Sequence, residues 1–474
     1  MPKTWTPRAI VVGSGLAGLT CARRLALSGW VVDVASPGQP GRDGASHRVH
    51  ALSPWILLTA PMVAGDSPRR FRSDLEARGA GLERRDLAEV LAEGSHATAL
   101  ELLAELGLEP VAAEPALLPG DRWPRGLRCR PRAHRPLLAP LVDSCRSAGV
   151  RFLPGTVVTG LLSSGDRAAG VAAWRELERT AGELRADAVV LASGGVGAVF
   201  PRSTVPRWCC GSGVAIAAAA GALLHRPDLV QSLPVVARPP WLFLGSAALL
   251  GGELVADGCP PSTPTDLAAL ARTLADALWL GRTVALRPGR GWEEMTPMFR
   301  PSALTVRDSV VPLTLAAHHG TGGVAIDAWG RSSLPGLYAC GEAAGGVQGA
   351  ERTMGTGLIE ARLFGERCAR AADRDVRRSG PAGAPDADHA VRSVDAPGQL
   401  AERLDRMLGP LLLARDVDAV ERALALLEAW PVASATVGSS LAAWRTALRR
   451  AAAAEVLRAS RTGHNGPVTT AAAR

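Results

Sequence analysis

The stretch "AIVVGSGLAGLTCARRLALSGWVVDVAS", residues 9–36, holds a β-branched run, a Gly13-x-Gly15-x-x-Gly18 turn, a segment with apolar residues at helical spacing and a second apolar run. That order predicts a βαβ nucleotide-binding unit, with a strand over 9–13, a helix over 16–28 and a strand over 30–35. Gly13 permits the tight turn, Gly15 after Ser14 lets the backbone approach a pyrophosphate, and Gly18 lets helix and strand pack closely. The phosphates would then meet the helix N-terminus, where unpaired N–H groups and the dipole favour negative charge. A bound dinucleotide is expected. The acid that a ribose usually meets at the end of the second strand is missing, and Ser36 stands there instead.

With 474 residues, of which 47% are hydrophobic, the chain can bury a substantial core divided among two or three domains. Its net charge of +8 and isoelectric point near 9.6 come from arginines spread along the whole length, Lys3 being the only lysine. No basic block with interleaved aromatics is present, so nucleic acid is not an expected partner. The eight cysteines include no C-x-x-C pair, and the neighbours Cys209 and Cys210 are poorly placed to bridge, which points to reduced thiols. The few residues ahead of the first strand leave no room for a secretory leader. The most apolar later stretches, "VAIAAAAGALL" and "WLFLGSAALLGGELVA", are short or broken by glycine, below the roughly 20 residues a spanning helix needs. A cytoplasmic chain without a membrane segment is expected.

Further along, residues 80–107 read as one or two amphipathic helices with a glycine stop, and 151–195 as short strands and a hairpin ending in the buried strand of "ADAVVLASGG". From about 233 to 315 the pattern turns mixed and punctuated by proline, as an insertion would, before "LPGLYACGEAAGG" restores a strand and a glycine turn. Residues 376–398 have the Pro, Ala, Gly and charge content of a linker, and three amphipathic segments follow that predict a small helical bundle.

Four later motifs fall in the order seen in one family: "DAVVLASGGVGAVF" at 187–200, "HHGTGGVAID" at 318–327, "RSSLPGLYACGEAAGGVQGAERTMGTGLIEA" at 331–361 and "SRTGHNG" near 460. Through them the chain resembles the FAD flavoproteins of the succinate dehydrogenase, fumarate reductase and L-aspartate oxidase family over nearly its whole length, with a layout nearest the L-aspartate oxidases. The resemblance implies an α/β fold. It implies a Rossmann-like FAD-binding domain over 1–230 and 316–375, an inserted α+β capping domain over 231–315, a linker over 376–397 and a C-terminal helical bundle over 398–474. It also implies that the nucleotide is FAD, since members commonly lack an acid at the end of the second strand. Ser193, Gly194 and Gly195 would join the glycine turn in holding it, and Glu342 matches the family's flavin-contacting glutamate. The turn of Gly357 before Leu358 would set a helix N-terminus near the flavin's pyrimidine edge, where a dipole stabilises negative charge on reduced flavin. His47, in "SHRVHALSPW", falls where succinate dehydrogenases and fumarate reductases attach the flavin covalently, whereas L-aspartate oxidases lack that histidine. FAD without a covalent bond is the reading taken, with a link at His47 as its alternative.

By the same resemblance a small carboxylic or amino acid lies against the flavin, gripped by His318 of the H-x-x-x-G-G motif and by Arg352, which matches the arginine of the family's G-A-N-R segment. A guanidinium holds a carboxylate with two parallel bonds. Ser246 keeps the hydroxyl of a family Thr-Glu pair. Other positions depart from the pattern: Leu233 stands for a substrate histidine, Ala247 for the glutamate of that pair, and Thr265 for the arginine that the family uses as acid and base. Arg272, Arg282 and Arg307 are available as a substitute base, though nothing in the spacing demands one of them. Losing a buried cation together with its partners avoids leaving one charge unpaired. The rebuilt pocket is expected to be more apolar away from Arg352 and to suit a substrate with one carboxylate. The resemblance implies oxidation of an amino acid to its imine, with L-aspartate and NAD biosynthesis as the default, and electrons passed to oxygen or another acceptor. Oxidation or reduction of a C–C bond in another acid, or a catalytically idle flavin-binding paralogue, are the alternatives.

Overall fold

The computed structural model describes residues 5–47, 55–118, 121–131, 136–239, 241, 243, 249, 251–257, 259–263, 267–287, 289, 310–391, 397–411, 417–429 and 441–462. The opening stretch forms β1 (Arg8–Val12), α1 (Leu16–Leu27) and β2 (Val31–Ser36), within a residue or so of the spans its pattern predicts. β1 lies between β2 and β10 (Ala188–Leu191), and β18 (Leu337–Ala339) and β6 (Arg151–Pro154) extend the sheet on either side, every pairing being parallel. Strands of such a sheet are covered on both faces and read as continuous apolar runs. β10, "AVVL", is buried at every position.

Parallel register decides where the chemistry can sit. Val12 pairs with Leu191 and Leu191 with Ala339, so the turns that follow β1, β10 and β18 all leave the same edge of the sheet. Ligands of open α/β sheets bind in the crevice beyond that edge. One face of the sheet is covered by α1 and the long α7 (Gly357–Ser379), whose Gly365 comes so close to α1 that a Cβ there would lie 2.6 Å from the Ala17 carbonyl oxygen.

A segment ahead of β10 carries α2 (Pro68–Gly79), α3 (Arg85–Glu105) and a small antiparallel sheet in which β5 (Gly126–Pro131) pairs with β3 (Ile56–Thr59) and β4 (Leu108–Pro110). Residues 80–107, expected as one or two helices, contribute the single helix α3. β7 (Thr156–Ser164), β8 (Arg167–Arg175) and β9 (Thr180–Arg185) make the expected hairpins. Their sheet gains β20 (Ala387–Ala390), so the stretch with linker composition is more than a connection there. A second sheet, in the order β12, β16, β15, β13, β14, joins β12 (Val230–Val236) and β16 (Val311–Gly320) to β15 (Val284–Arg287), β13 (Glu253–Ala256) and β14 (Cys259–Ser262). Helix α6 (Leu267–Trp279) packs on it over a separate apolar core of Leu249, Leu254, Leu270, Leu274, Leu286 and Leu313. Helices α8 (Pro397–Leu411), α9 (Val417–Glu428) and α10 (Leu441–Thr462) follow. α10 seats Ala452 against Gly211, ahead of α5 (Ser212–Ala219), and Arg449 donates to the Val199 carbonyl.

Arg125 is the largest of the fully buried side chains. Its guanidinium takes both oxygens of Asp66 at 2.6 and 2.8 Å and one of Asp74 at 2.7 Å, and lies 4.8 Å from the Phe71 ring centroid. Its carbonyl accepts the Ala60 N–H, and the neighbouring Thr59 binds the backbone of Met354 and Gly355, two residues past Arg352. Removing the cation strands the buried Asp66 carboxylate and the half-buried one of Asp74, so Arg125→Met should lower unfolding free energy by about 3 to 5 kcal/mol in urea titrations. Neutralising all three groups (Arg125→Met, Asp66→Asn, Asp74→Asn) should cost less than the single change. An unshifted midpoint in Arg125→Met would contradict this account.

Candidate active site

At the sheet edge the three glycines differ in what demands them. Gly13 has φ +111°, and a Cβ there would come within 2.3 Å of the Ala192 carbonyl oxygen. At Gly18 a Cβ would lie 2.1 Å from the Gly13 oxygen. Both are fixed by the protein's own packing. Gly15 is not: its φ of −75° suits any residue, and the nearest protein atom to a Cβ would be Ser46 Oγ at 3.6 Å. What glycine leaves open there is room in front of the first turn of α1, which has no side-chain cap and no acidic residue. A pyrophosphate fits that cradle. Ser46 Oγ accepts the Leu16 N–H, so the loop carrying His47 closes over the same turn, and Gly41 donates to the Ser14 carbonyl. Ser36 is buried at the end of β2, its hydroxyl donating to the Gly38 carbonyl.

The turn after β10 brings Ser193, Gly194 and Gly195. Ser193 Oγ accepts the Gly213 N–H of α5, Gly194 has φ +79°, and a Cβ at Gly195 would lie 2.3 Å from Glu342 Oε1. Glu342 itself follows β18 and reaches back over this turn, accepting the Gly320 N–H at 2.9 Å.

β16 delivers two adjacent histidines. Gln231 pairs with His319 but Ser232 with Ala317, so His318 is the extra residue of a β-bulge. Alternation along a regular strand would send neighbours to opposite faces; a bulge re-aims one of them. Both rings therefore reach one buried cluster, His319 Nδ1 lying 3.5 Å from Glu342 Oε2 and His318 Nε2 lying 3.1 Å from Arg352 Nη2. Arg352 also donates from Nε to Gln231 Oε1 at 3.3 Å, while Gln231 Nε2 donates to the Arg352 carbonyl at 3.1 Å. The guanidinium rests on the start of α7, where a Cβ at Gly357 would be 2.9 Å from its Nη1. Leu358 sits in that first turn, and Glu360 just inside it accepts from Gln348 Nε2 at 2.7 Å. Leu233 is buried opposite Ala316 on the same antiparallel strand pair. Ser246, Ala247, Thr265 and Arg307 lie outside the described residues; Arg272 is exposed on α6, and Arg282 lies in the turn beyond it.

Charge in this cluster is governed by desolvation. Burial pushes the Glu342 carboxyl up to about 7, against the pull of the Gly320 N–H and Arg352, and pushes Glu360 up to about 7 as well. Burial and then the neighbouring Arg352 cation hold His318 down at about 3 and His319 well below the usual imidazole range. The His319–Glu342 contact is thus that of a neutral ring with a carboxyl, not an ion pair. Burial also lowers Arg352, opposed by Glu342 and Glu360. His319, Gln231, Gln348 and Glu360 were not singled out from sequence, although the His-His doublet and the Gln that opens "QSLPVV" were signals for two of them.

The description "FAD binding domain" matches residues 8–258 and 291–358, in agreement with the cradle at Gly15. The fold and site together define an FAD-dependent oxidoreductase. The chain is 30% identical over 414 residues to the L-aspartate oxidase of Caulobacter vibrioides, covering 78% of this chain and 77% of that one. It is 32% identical over 411 residues to the L-aspartate oxidase of Streptomyces coelicolor, covering 76% and 67%. A solved quinol–fumarate reductase with menaquinol molecules superposes with a TM-score of 0.80 at 19% identity, over 98% of this chain and 92% of that one, which shows the fold. The chain belongs to the FAD-binding flavoprotein family that includes the L-aspartate oxidases, as its motifs indicated, and its cofactor is FAD. Among the described residues no helix is long and apolar enough to cross a membrane.

The raised carboxyls give the protein stripped of FAD a defined pH response. A carboxyl whose pKa rises from 4.5 to about 7 on folding adds stability that is complete below 4.5 and lost as pH rises through about 7. His318, depressed from 6.5 to about 3, adds stability that is complete above 6.5 and lost as pH falls toward about 3. Melting temperature should therefore fall as pH rises toward about 7 and level off above it, and the double change Glu342→Gln, Glu360→Gln should flatten that fall. An identical pH profile in the double variant would place the response elsewhere.

Proposed function

We propose that the chain oxidises an amino acid at its α-carbon, as its L-aspartate oxidase relatives' name describes for aspartate, but with a pocket remodelled for a less acidic substrate. The observation that carries this reading is the buried Arg352–His318 pair at 3.1 Å on the first turn of α7. FAD, held at the turn of Gly13, Gly15 and Gly18, would supply the oxidising power as an acceptor of hydride. The residues of the chain bind, orient and keep dry. Arg352 takes the substrate carboxylate with two parallel bonds, its charge held in place by Gln231 and balanced by Glu342 and Glu360. The N-terminus of α7 at Gly357 and Leu358 stabilises negative charge arising at the flavin. Leu233 gives the opposite wall an aliphatic surface where a second carboxylate would find no donor. Thr265 replaces, by its place in the sequence, the arginine that the family uses as acid and base, and its hydroxyl is too weak an acid and base to take over that proton exchange near neutral pH. The electron acceptor is oxygen or another oxidant. FAD is held without a covalent bond, so acid precipitation should leave the yellow colour in the supernatant; colour in the pellet would assign a link at His47. The unbridged thiols of Cys21, Cys129, Cys145, Cys210, Cys340 and Cys368 suit a cytoplasmic location.

Anaerobic bleaching of the flavin by a panel of amino and dicarboxylic acids tests the substrate class. L-aspartate and succinate should bleach slowly or not at all, and an amino acid with an apolar side chain faster. Arg352→Ala should weaken binding of any carboxylate ligand by about 2 to 5 kcal/mol with FAD retained. Unchanged affinity in that variant, or brisk turnover of L-aspartate by the unaltered protein, would refute the reading.

A further inference from the structure

A second residue conditions what His318 can recognise. Thr204 lies in the loop before α5, its N–H donating to the Ala317 carbonyl at 2.9 Å, and its Oγ1 stands 2.8 Å from His318 Nδ1. On the far side of the ring, His318 Nε2 faces Arg352 Nη2 at 3.1 Å. A guanidinium has donors only and cannot accept. Nε2 is therefore the lone-pair nitrogen, the ring is neutral, and its one proton sits on Nδ1 and is donated to Thr204 Oγ1. The hydroxyl is free to accept it because its own hydrogen has a partner in the Ala317 carbonyl at 3.4 Å. Every lone pair and hydrogen along the chain Arg352, His318, Thr204, Ala317 is thus assigned by elimination.

We infer that Thr204 is a positioning residue that locks His318 as the Nδ1–H tautomer, so that its Nε2 accepts a hydrogen bond from an amine on the carbon bearing the Arg352-bound carboxylate. The inference rests on the reading of Arg352 as the carboxylate anchor. When a carboxylate draws the guanidinium into its two parallel bonds, the Nε2 lone pair loses its donor and is left in a dry pocket, where an unmet acceptor is costly. A substrate with a donor one carbon from the carboxylate meets it. A carboxylic acid with hydrogen at that place does not, and a second carboxylate there would set two acceptors against each other. The site then recognises an α-amino acid through a neutral histidine rather than gripping an anion with a charged one.

The test uses the FAD-loaded protein and two probes that have no hydrogen to lose as hydride or no amine to oxidise: α-methyl-L-leucine and the same acid with hydrogen in place of the amine. Binding is read from the flavin difference spectrum, and the tautomer from the ring-nitrogen shifts of labelled His318. The unaltered protein should bind the amino compound about tenfold more tightly than its counterpart, the difference one hydrogen bond to a charged group brings. Thr204→Val should bring that ratio close to one and, with the amino probe bound, shift the ring signals away from the Nδ1–H pattern, while Thr204→Ser keeps both. Equal binding of the two probes by the unaltered protein, or an undiminished ratio in Thr204→Val, would overturn the inference while leaving the carboxylate anchor standing. If neither probe perturbs the flavin, the Arg352 reading fails, and this inference with it.

Discussion

A guanidinium that is only 7% exposed must be answered from every side, and the centre of this protein is built around that requirement. Arg352 draws Gln231 from β12, His318 from the bulge in β16, and the charges of Glu342 and Glu360 from beyond β18 and from α7. Two strands remote in the chain are thereby pinned to the segment between β18 and α7. An unpaired buried cation would cost several kcal/mol, so the sheet edge, the β12–β16 pair and the start of α7 cannot drift independently. The Arg125 triad supports the same point from outside through β3, whose Thr59 holds the turn after Arg352.

The glycines show which constraints come from packing and which from a ligand. Gly13 and Gly18 are forced by the approach of Ala192 and by the helix–strand contact, and would be glycine in an empty protein. Gly15 has neither reason, and its openness is the structural trace of the dinucleotide.

Much of this was legible in the sequence, for reasons that are local. The βαβ unit announces itself through apolar period and glycine spacing inside 28 residues, and the three C-terminal helices through amphipathic periodicity. Arg352, His318 and Glu342 were found because each sits in a short motif. Gln231 and Thr204 were not, since their meaning lies in partners 121 and 114 residues away. The bulge at His318 depends on the pairing of two strands and has no signature in either alone, which is why His319 was read past. Strand β20 was hidden by linker composition, because an edge strand that borrows its partner's hydrogen bonds needs little apolar content of its own.

The electrostatics of the cluster bear on the lost family residues. Both histidines are neutral, the two carboxyls titrate at about 7, and Arg352 is the permanent cation among the described groups of the cluster. Such a pocket neutralises one incoming carboxylate well. On the proposed reading, a second would need its own donor, and the buried Leu233 would give it an aliphatic wall, leaving the anion desolvated without compensation. Restoring a single cation on that wall would leave the new charge in the same position unless an anion or a hydrogen-bonding neighbour came with it. On the same proposed reading, the departures at positions 233, 247 and 265 form one change in charge rather than three, toward a substrate whose far end is apolar.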